Sequence, residues 1–174
     1  MITYRPPTQM DVAVLVAHDK ELFPYSPWSS AQYKEELAGI PETRFYSIAE
    51  NEKGEIVGYA GVFCPGEDVE ADILTVGVLP LYRRQGIAKE FIRQMEFWCG
   101  ERKASAIMLE VKIDNKEAIS LYESLGYLKI AVRTDYFGPG LDAASDSTPK
   151  KLFNFAEKST SIILILHNFF KKKL

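Results

Sequence analysis

The chain has 174 residues, 47% hydrophobic and 26% charged, enough to bury the core of one globular domain, and no shift in composition marks a second. A formal net charge of -3 and a pI near 5.5 argue against a protein whose main partner is nucleic acid. Cys64, Cys99, His18 and His167 lack ligand spacing, so the cysteines read as buried structural thiols and no metal site is expected.

Residues 1–7 have no apolar run after a basic start, so no signal peptide and a cytoplasmic location are expected. Residues 2–5 read as a short strand. Thr8 and Asp11 form a capping box that opens a helix to about Leu22, with Val12, Leu15, Val16 and Leu22 on its inner face. Phe23-Pro24-Tyr25-Ser26-Pro27-Trp28 cannot be regular, because two prolines punctuate aromatics that are costly to leave merely exposed, so this loop should cover something. Ser29 and Gln32 cap a second helix that stops at Gly39 and Pro41. Strands at 44–50 and 55–64 follow, joined by the turn from Asn51 to Gly54.

Residues 73–78 read as a buried strand ended by Pro80, and the chain runs on through a tight turn into a helix with Ile87, Phe91, Met95 and Trp98 on one face. The strand at 106–111 after that helix implies a parallel crossover. Asn115 caps a helix ending at Leu125 with Gly126 as its C′ residue, and 127–136 is the next strand. This order predicts a single α/β domain with a mixed sheet and helices on both faces.

Two glycines carry chemical meaning. Gly86 opens a helix whose first-turn N–H groups are unpaired, and with Arg83 and Arg84 beside it the turn suits a pyrophosphate. Gly77, inside the strand, marks a bulge or a close approach; a bulge would splay this strand from the one ending at Glu110 and free Val76 and Val78 to bind an extended ligand.

Arg83-x-x-Gly86-x-Ala88 resembles the acetyl-CoA motif of the GNAT N-acetyltransferase superfamily, and Leu109-Glu110-Val111-x-x-x-Asn115-x-x-Ala118-x-x-Leu121-Tyr122-x-x-Leu125-Gly126-Tyr127 resembles its second, more specific signature. Within the superfamily the chain resembles the ribosomal-protein-alanine N-acetyltransferases of the RimI type over residues 2–143, through these stretches, Phe23-Pro24 with Pro27-Trp28-Ser29, and Arg133 to Ala143. The loop at 23–28 departs from the family by the insertion Tyr25-Ser26-Pro27.

The resemblance implies a GNAT fold, mostly antiparallel with a splayed parallel central pair, and acetyl-CoA as co-substrate. It puts the cofactor at Val76, Gly77, Val78, Arg83, Arg84, Gln85, Gly86, Ile87, Ala88, Lys89 and Asn115. It makes Glu110 the general base and Tyr122 the general acid, with Trp28 and Tyr136 near the acceptor peptide and the N-terminal alanine of a small-subunit ribosomal protein as acceptor. Such a pair suits the chemistry, since an amine attacks a thioester only when neutral and the leaving thiolate gains from a proton. Lysine side chains or small amines are the alternative acceptors. A non-catalytic acyl-CoA-binding module is the alternative from another class, against which the retention of Glu110 and Tyr122 speaks.

Beyond Ala143 the resemblance stops, which divides the chain into an acetyltransferase domain at 1–143 and a divergent segment at 144–174. The apolar run 161–166 either supplies the last strand of the sheet or belongs to a foreign tail whose Phe169 to Lys173 end touches a partner or a membrane surface. It is too short for a membrane span, which needs about 20 apolar residues.

Overall fold

The computed structural model describes residues 1–133 and 161–167. In chain order these form β1 (Thr3–Arg5), α1 (Val12–Leu22), α2 (Ser30–Ala38), β2 (Arg44–Glu50), β3 (Ile56–Phe63), β4 (Ala71–Val78), α3 (Ile87–Glu101), β5 (Ala106–Lys112), α4 (Lys116–Ser124), β6 (Leu128–Arg133) and β7 (Ser161–His167). The strands make one sheet in the order β1-β2-β3-β4-β5-β7-β6. Every neighbouring pair is antiparallel except β4 with β5, so the mixed sheet read from the sequence is the one the chain builds. Among the described residues no helix is long and apolar enough to cross a membrane.

Each face of the sheet carries its own apolar cluster. On one, Val12 and Leu15 of α1 and Tyr33 and Leu37 of α2 pack on Tyr46, Ile48 and Tyr59. On the other, Ile87, Phe91, Met95 and Cys99 of α3 follow the helical period, and α4 adds Tyr122. Cys64 joins this second cluster as a free thiol, and burial pushes the Cys99 thiol up to about 12.

Both predicted capping boxes close at their helix starts, Thr8 with Asp11 and Ser29 with Gln32. The expected bulge lies elsewhere than at Gly77. Gly61 pairs with Thr75 but Val62 pairs with Ile73, so Leu74 is the extra residue, whereas Gly77 stands in register opposite Tyr59. Gly77 marks a close approach instead. A Cβ there would stand 2.8 Å from Cζ of Tyr59 and 3.0 Å from Cδ1 of Leu22, closer than real contacts.

Arg5 fastens β1 to the start of α1: its guanidinium donates to both oxygens of Asp11, each at 2.9 Å, and it also pairs with Glu50. The Arg5 guanidinium lowers the Asp11 carboxyl to about 2. A carboxylate with a lowered native pKa contributes stability that is full above about pH 4 and lost as pH falls through about 2. Urea titrations from pH 5 to pH 2 should therefore show an acid limb that is shallower in Asp11→Asn than in the parent protein; equal limbs would mean the pair contributes no pH dependence.

Candidate active site

The cleft begins where two strands part. β4 and β5 pair only at Ala71 with Ile107 and at Asp72 with Met108; then the Leu74 bulge bends β4 away. Between the separated strands, under α4 on one side and the end of α1 with the following loop on the other, lies a cavity of about 580 Å³. Its lining brings together Trp28, Val76, Glu110, Asn115 and Tyr122, which the sequence had assigned to three different roles.

The register says which backbone groups face this gap. The N–H of Leu79 donates to the carbonyl of Val57, and alternation along an antiparallel pair makes Gly77 the next residue bonded to β3. Val76 and Val78 therefore turn their N–H and C=O groups away from β3, toward the side where the β5 ladder has ended. The Val78 carbonyl accepts from Nε of Arg83 at 3.2 Å, which ties the turn back to the strand. Arg84 and Gly86 both have positive φ, 61° and 84°, and no side chain caps α3. Nothing lies within 4 Å of a Cβ built at Gly86, so the turn is open on that side, and the N-cap residue offers the first-turn N–H groups of Ile87, Ala88 and Lys89 no side-chain partner. Arg83, Arg84, Gln85 and Lys89 are exposed around them, while the Ile87 side chain is buried in the core, leaving only its backbone for a ligand. Gly77, Val78 and residues 83–89 do not line the cavity; they continue from the far end of the β4 strand that forms its floor.

The catalytic candidates differ in environment. Glu110 is exposed on β5. Tyr122 is buried, packed edge-on to Tyr127 with ring centroids 5.5 Å apart, and burial pushes its phenol above the ordinary range, so it is a phenol and not a phenolate at neutral pH. Oδ1 of Asn115 accepts from the N–H of Ala118 at 3.1 Å, so this residue is the predicted N-cap as well as a lining residue. Tyr136 lies outside the described residues.

Sequence reading missed Asp19, which also lines the cavity. Its carboxylate is buried and accepts from the N–H of Trp28 and from the hydroxyls of Tyr33 and Tyr59. The available signal was its place four residues after Leu15 and seven after Val12, on the apolar stripe of α1. Lys112 was missed too: its ammonium stands 4.6 Å from the centre of the exposed Tyr25 ring, across the cleft mouth.

A sequence profile described as the acetyltransferase (GNAT) family matches residues 14–127. The chain belongs to the GNAT acetyltransferase family. It is an acyltransferase that moves an acetyl group from acetyl-CoA to an amine, of the RimI type of N-alpha-acetyltransferase. The N-alpha-acetyltransferase RimI of Mycobacterium tuberculosis is 31% identical over 113 residues, 64% of this chain and 68% of that protein. The [ribosomal protein bS18]-alanine N-acetyltransferase of Escherichia coli is 27% identical over 121 residues, 70% of this chain and 77% of that one. Two solved structures share the fold. The ribosomal-protein-S18-alanine N-acetyltransferase from Escherichia coli superposes with a TM-score of 0.72 at 22% identity, covering 96% of this chain and 94% of that one. Arabidopsis thaliana NAA60 in complex with acetyl-CoA gives 0.74 at 18% identity, covering 96% and 98%.

The parted strands and the open Gly86 turn fit the two ends of acetyl-CoA, amides for the arm and a positive helix N-terminus for the pyrophosphate. In this acetyltransferase Gly86→Val would set a branched side chain in a left-handed backbone and fill the open space. Its affinity for CoA by calorimetry should fall at least tenfold, about 1.4 kcal/mol. Unchanged affinity in a folded variant would remove this turn from the site.

Proposed function

We propose that this acetyltransferase modifies the N-terminal alanine of a small-subunit ribosomal protein, by direct transfer within a ternary complex. The observation that carries this reading is the single cleft in which Glu110, Asn115 and Tyr122 lie beneath the Trp28 loop, at the gap between β4 and β5. The relatives named for acetylation of ribosomal protein bS18 support the choice of acceptor. In this reading residues 1–143 are the acetyltransferase domain, the divergent segment 144–174 supplies strand β7 of its sheet, and the site of action is the cytoplasm.

Bound acetyl-CoA supplies the activated acetyl group. Backbone groups of Val76 and Val78 hold its arm along β4, the amides of the turn from Arg84 to Lys89 receive its phosphates, and Asn115 adds a side-chain contact from the start of α4. Glu110, exposed to water, takes the proton of the incoming amine directly or through one water. The Tyr122 hydroxyl, protonated at neutral pH as a phenol ordinarily is, gives a proton to the departing sulfur. A β4 backbone N–H meets the developing oxyanion. Trp28 encloses the first residue of the acceptor, a role that the family resemblance also gives to Tyr136.

Proton affinity favours an α-amine. At pH 7 an α-amine with pKa near 7.8 needs about 1.1 kcal/mol to become neutral, and a lysine near 10.4 needs about 4.6 kcal/mol. A free N-terminal alanine peptide should be acetylated with kcat/KM at least tenfold above that of the same peptide with a blocked N-terminus and an internal lysine, read by mass spectrometry. Equal or faster reaction of the blocked peptide would transfer the assignment to lysine side chains.

The two proton-handling residues make separate predictions. Tyr122→Phe keeps the ring and should lower kcat ~10²–10⁴-fold; a folded variant with near-parental kcat would leave Tyr122 a core residue. Glu110→Gln should lose most at pH 7 and progressively less above about pH 8, where the amine is mostly neutral. A pH-independent deficit would make Glu110 a positioning group.

A further inference from the structure

The loop at 23–28 is fastened at both ends to one residue. At its start, the N–H of Phe23 donates to the backbone carbonyl of Asp19 at 2.7 Å, the bond that closes the last turn of α1 and that does not depend on the side chain at 19. At its end, the N–H of Trp28 donates to Oδ2 of Asp19 at 2.5 Å. The other carboxylate oxygen, Oδ1, is turned into the core, where the hydroxyls of Tyr33 and Tyr59 donate at 2.9 and 2.7 Å. The side chain is 2% exposed, and among the described residues no lysine or arginine pairs with it. A buried carboxylate without a cation is sustained by its donors, and charge-assisted donors are short and directional. Its two oxygens therefore divide the work: one is rooted in the packed tyrosines, the other reaches the loop.

Both ends of this connection bear on the cleft. The Trp28 ring stands 5.3 Å from the ring of Tyr33, and Tyr59 packs over Gly77 in the strand that floors the cavity. Asp19 itself, with Phe23, Tyr25 and Trp28, lines the cavity wall. Among the described residues, the side-chain bonds of the Gly86 turn run from Arg83 to Val78 and from Gln85 to Leu81, apart from this connection.

We propose that Asp19 is a positioning residue for the acceptor: by clamping the Trp28 end of the 23–28 loop and rooting it in Tyr33 and Tyr59, it sets the height of Trp28 above β4 and hence the fit of the acceptor's first residue. This rests on the assignment of the cleft to a peptide acceptor. Asp19 acts through the Trp28 N–H and not by its charge on the amine. That distinction makes the substitutions informative, because the amide oxygen of Asp19→Asn still accepts from Trp28 while the charge is gone, whereas Asp19→Ala removes the clamp.

The test is steady-state kinetics of the full chain with an N-terminal alanine peptide and acetyl-CoA. Asp19→Ala should raise the peptide KM at least tenfold and leave the acetyl-CoA KM within twofold, and Asp19→Asn should recover most of the peptide KM. A role confined to stability would move both Michaelis constants or only the active fraction, and a direct role for the charge would make Asp19→Asn as poor as Asp19→Ala; either result overturns the proposal, as does an unchanged peptide KM in Asp19→Ala. If Asp19→Ala does not fold by circular dichroism, Asp19→Ser, too short to reach Trp28, is read by the same criteria. A readout free of the acceptor comes from acrylamide quenching of Trp28 in a Trp98→Phe background, where Asp19→Ala, or Asp19→Ser in its place, should at least double the quenching constant and Asp19→Asn should not. Unchanged quenching overturns the clamp. Absence of peptide acetylation by the parent protein overturns only the acceptor assignment, and the quenching experiment then decides the clamp by itself.

Discussion

The separation of β4 from β5 is the constraint on which the rest of the molecule turns. Two parallel strands side by side would ordinarily exchange hydrogen bonds along their length, and here the exchange stops after two residue pairs. Backbone groups left without a ladder are costly unless something else receives them. The chain tolerates the gap because each strand is secured on its other edge, β4 by a long antiparallel register with β3 and β5 by β7. Packed clusters on both faces then hold the two halves of the sheet at a fixed spacing. The missing ladder leaves the space that the proposed reading gives to the extended, amide-bearing arm of the cofactor.

Around that gap three oxygen acids occupy three environments. Glu110 is open to solvent, Tyr122 is a buried phenol, and Asp19 is buried with donors on both oxygens. In the proposed reading, solvent access suits a group that passes protons on to water, packing suits one whose hydroxyl is held in place, and donors on both oxygens suit a group that holds one orientation.

What the sequence made legible was local. Capping boxes, β-branched runs and the glycine-opened helix are decided within a few residues, and Thr8, Ser29, Gly86 and Asn115 take up the places those patterns predict. The cleft residues Glu110, Asn115 and Tyr122 were legible through a motif, and the structure places them on one cavity. The bulge was misplaced because its position depends on the partner strand: whether Leu74 or Gly77 is extra is settled by how β3 pairs, which no reading of β4 alone contains. Asp19 escaped for the same reason. Its partners come from α2, β3 and a loop, so its meaning exists only after three segments have met. The polar residue on an apolar stripe was a visible anomaly, but nothing nearby in sequence said what it would bind.

The place of β7 has a consequence for the order of assembly. β5 touches β4 through two residue pairs but is matched residue for residue by Ser161–His167, which itself stands between β5 and β6. Contacts between residues so far apart along the chain close late, since the intervening segment must first give up its freedom. Until residues 161–167 arrive, β5 is nearly an exposed border, and Glu110 rides on it. A chain without β7 would leave β5, and Glu110 on it, bordered by two residue pairs with β4 alone, so this wall of the cleft is completed by the late strand rather than by the first half of the sheet.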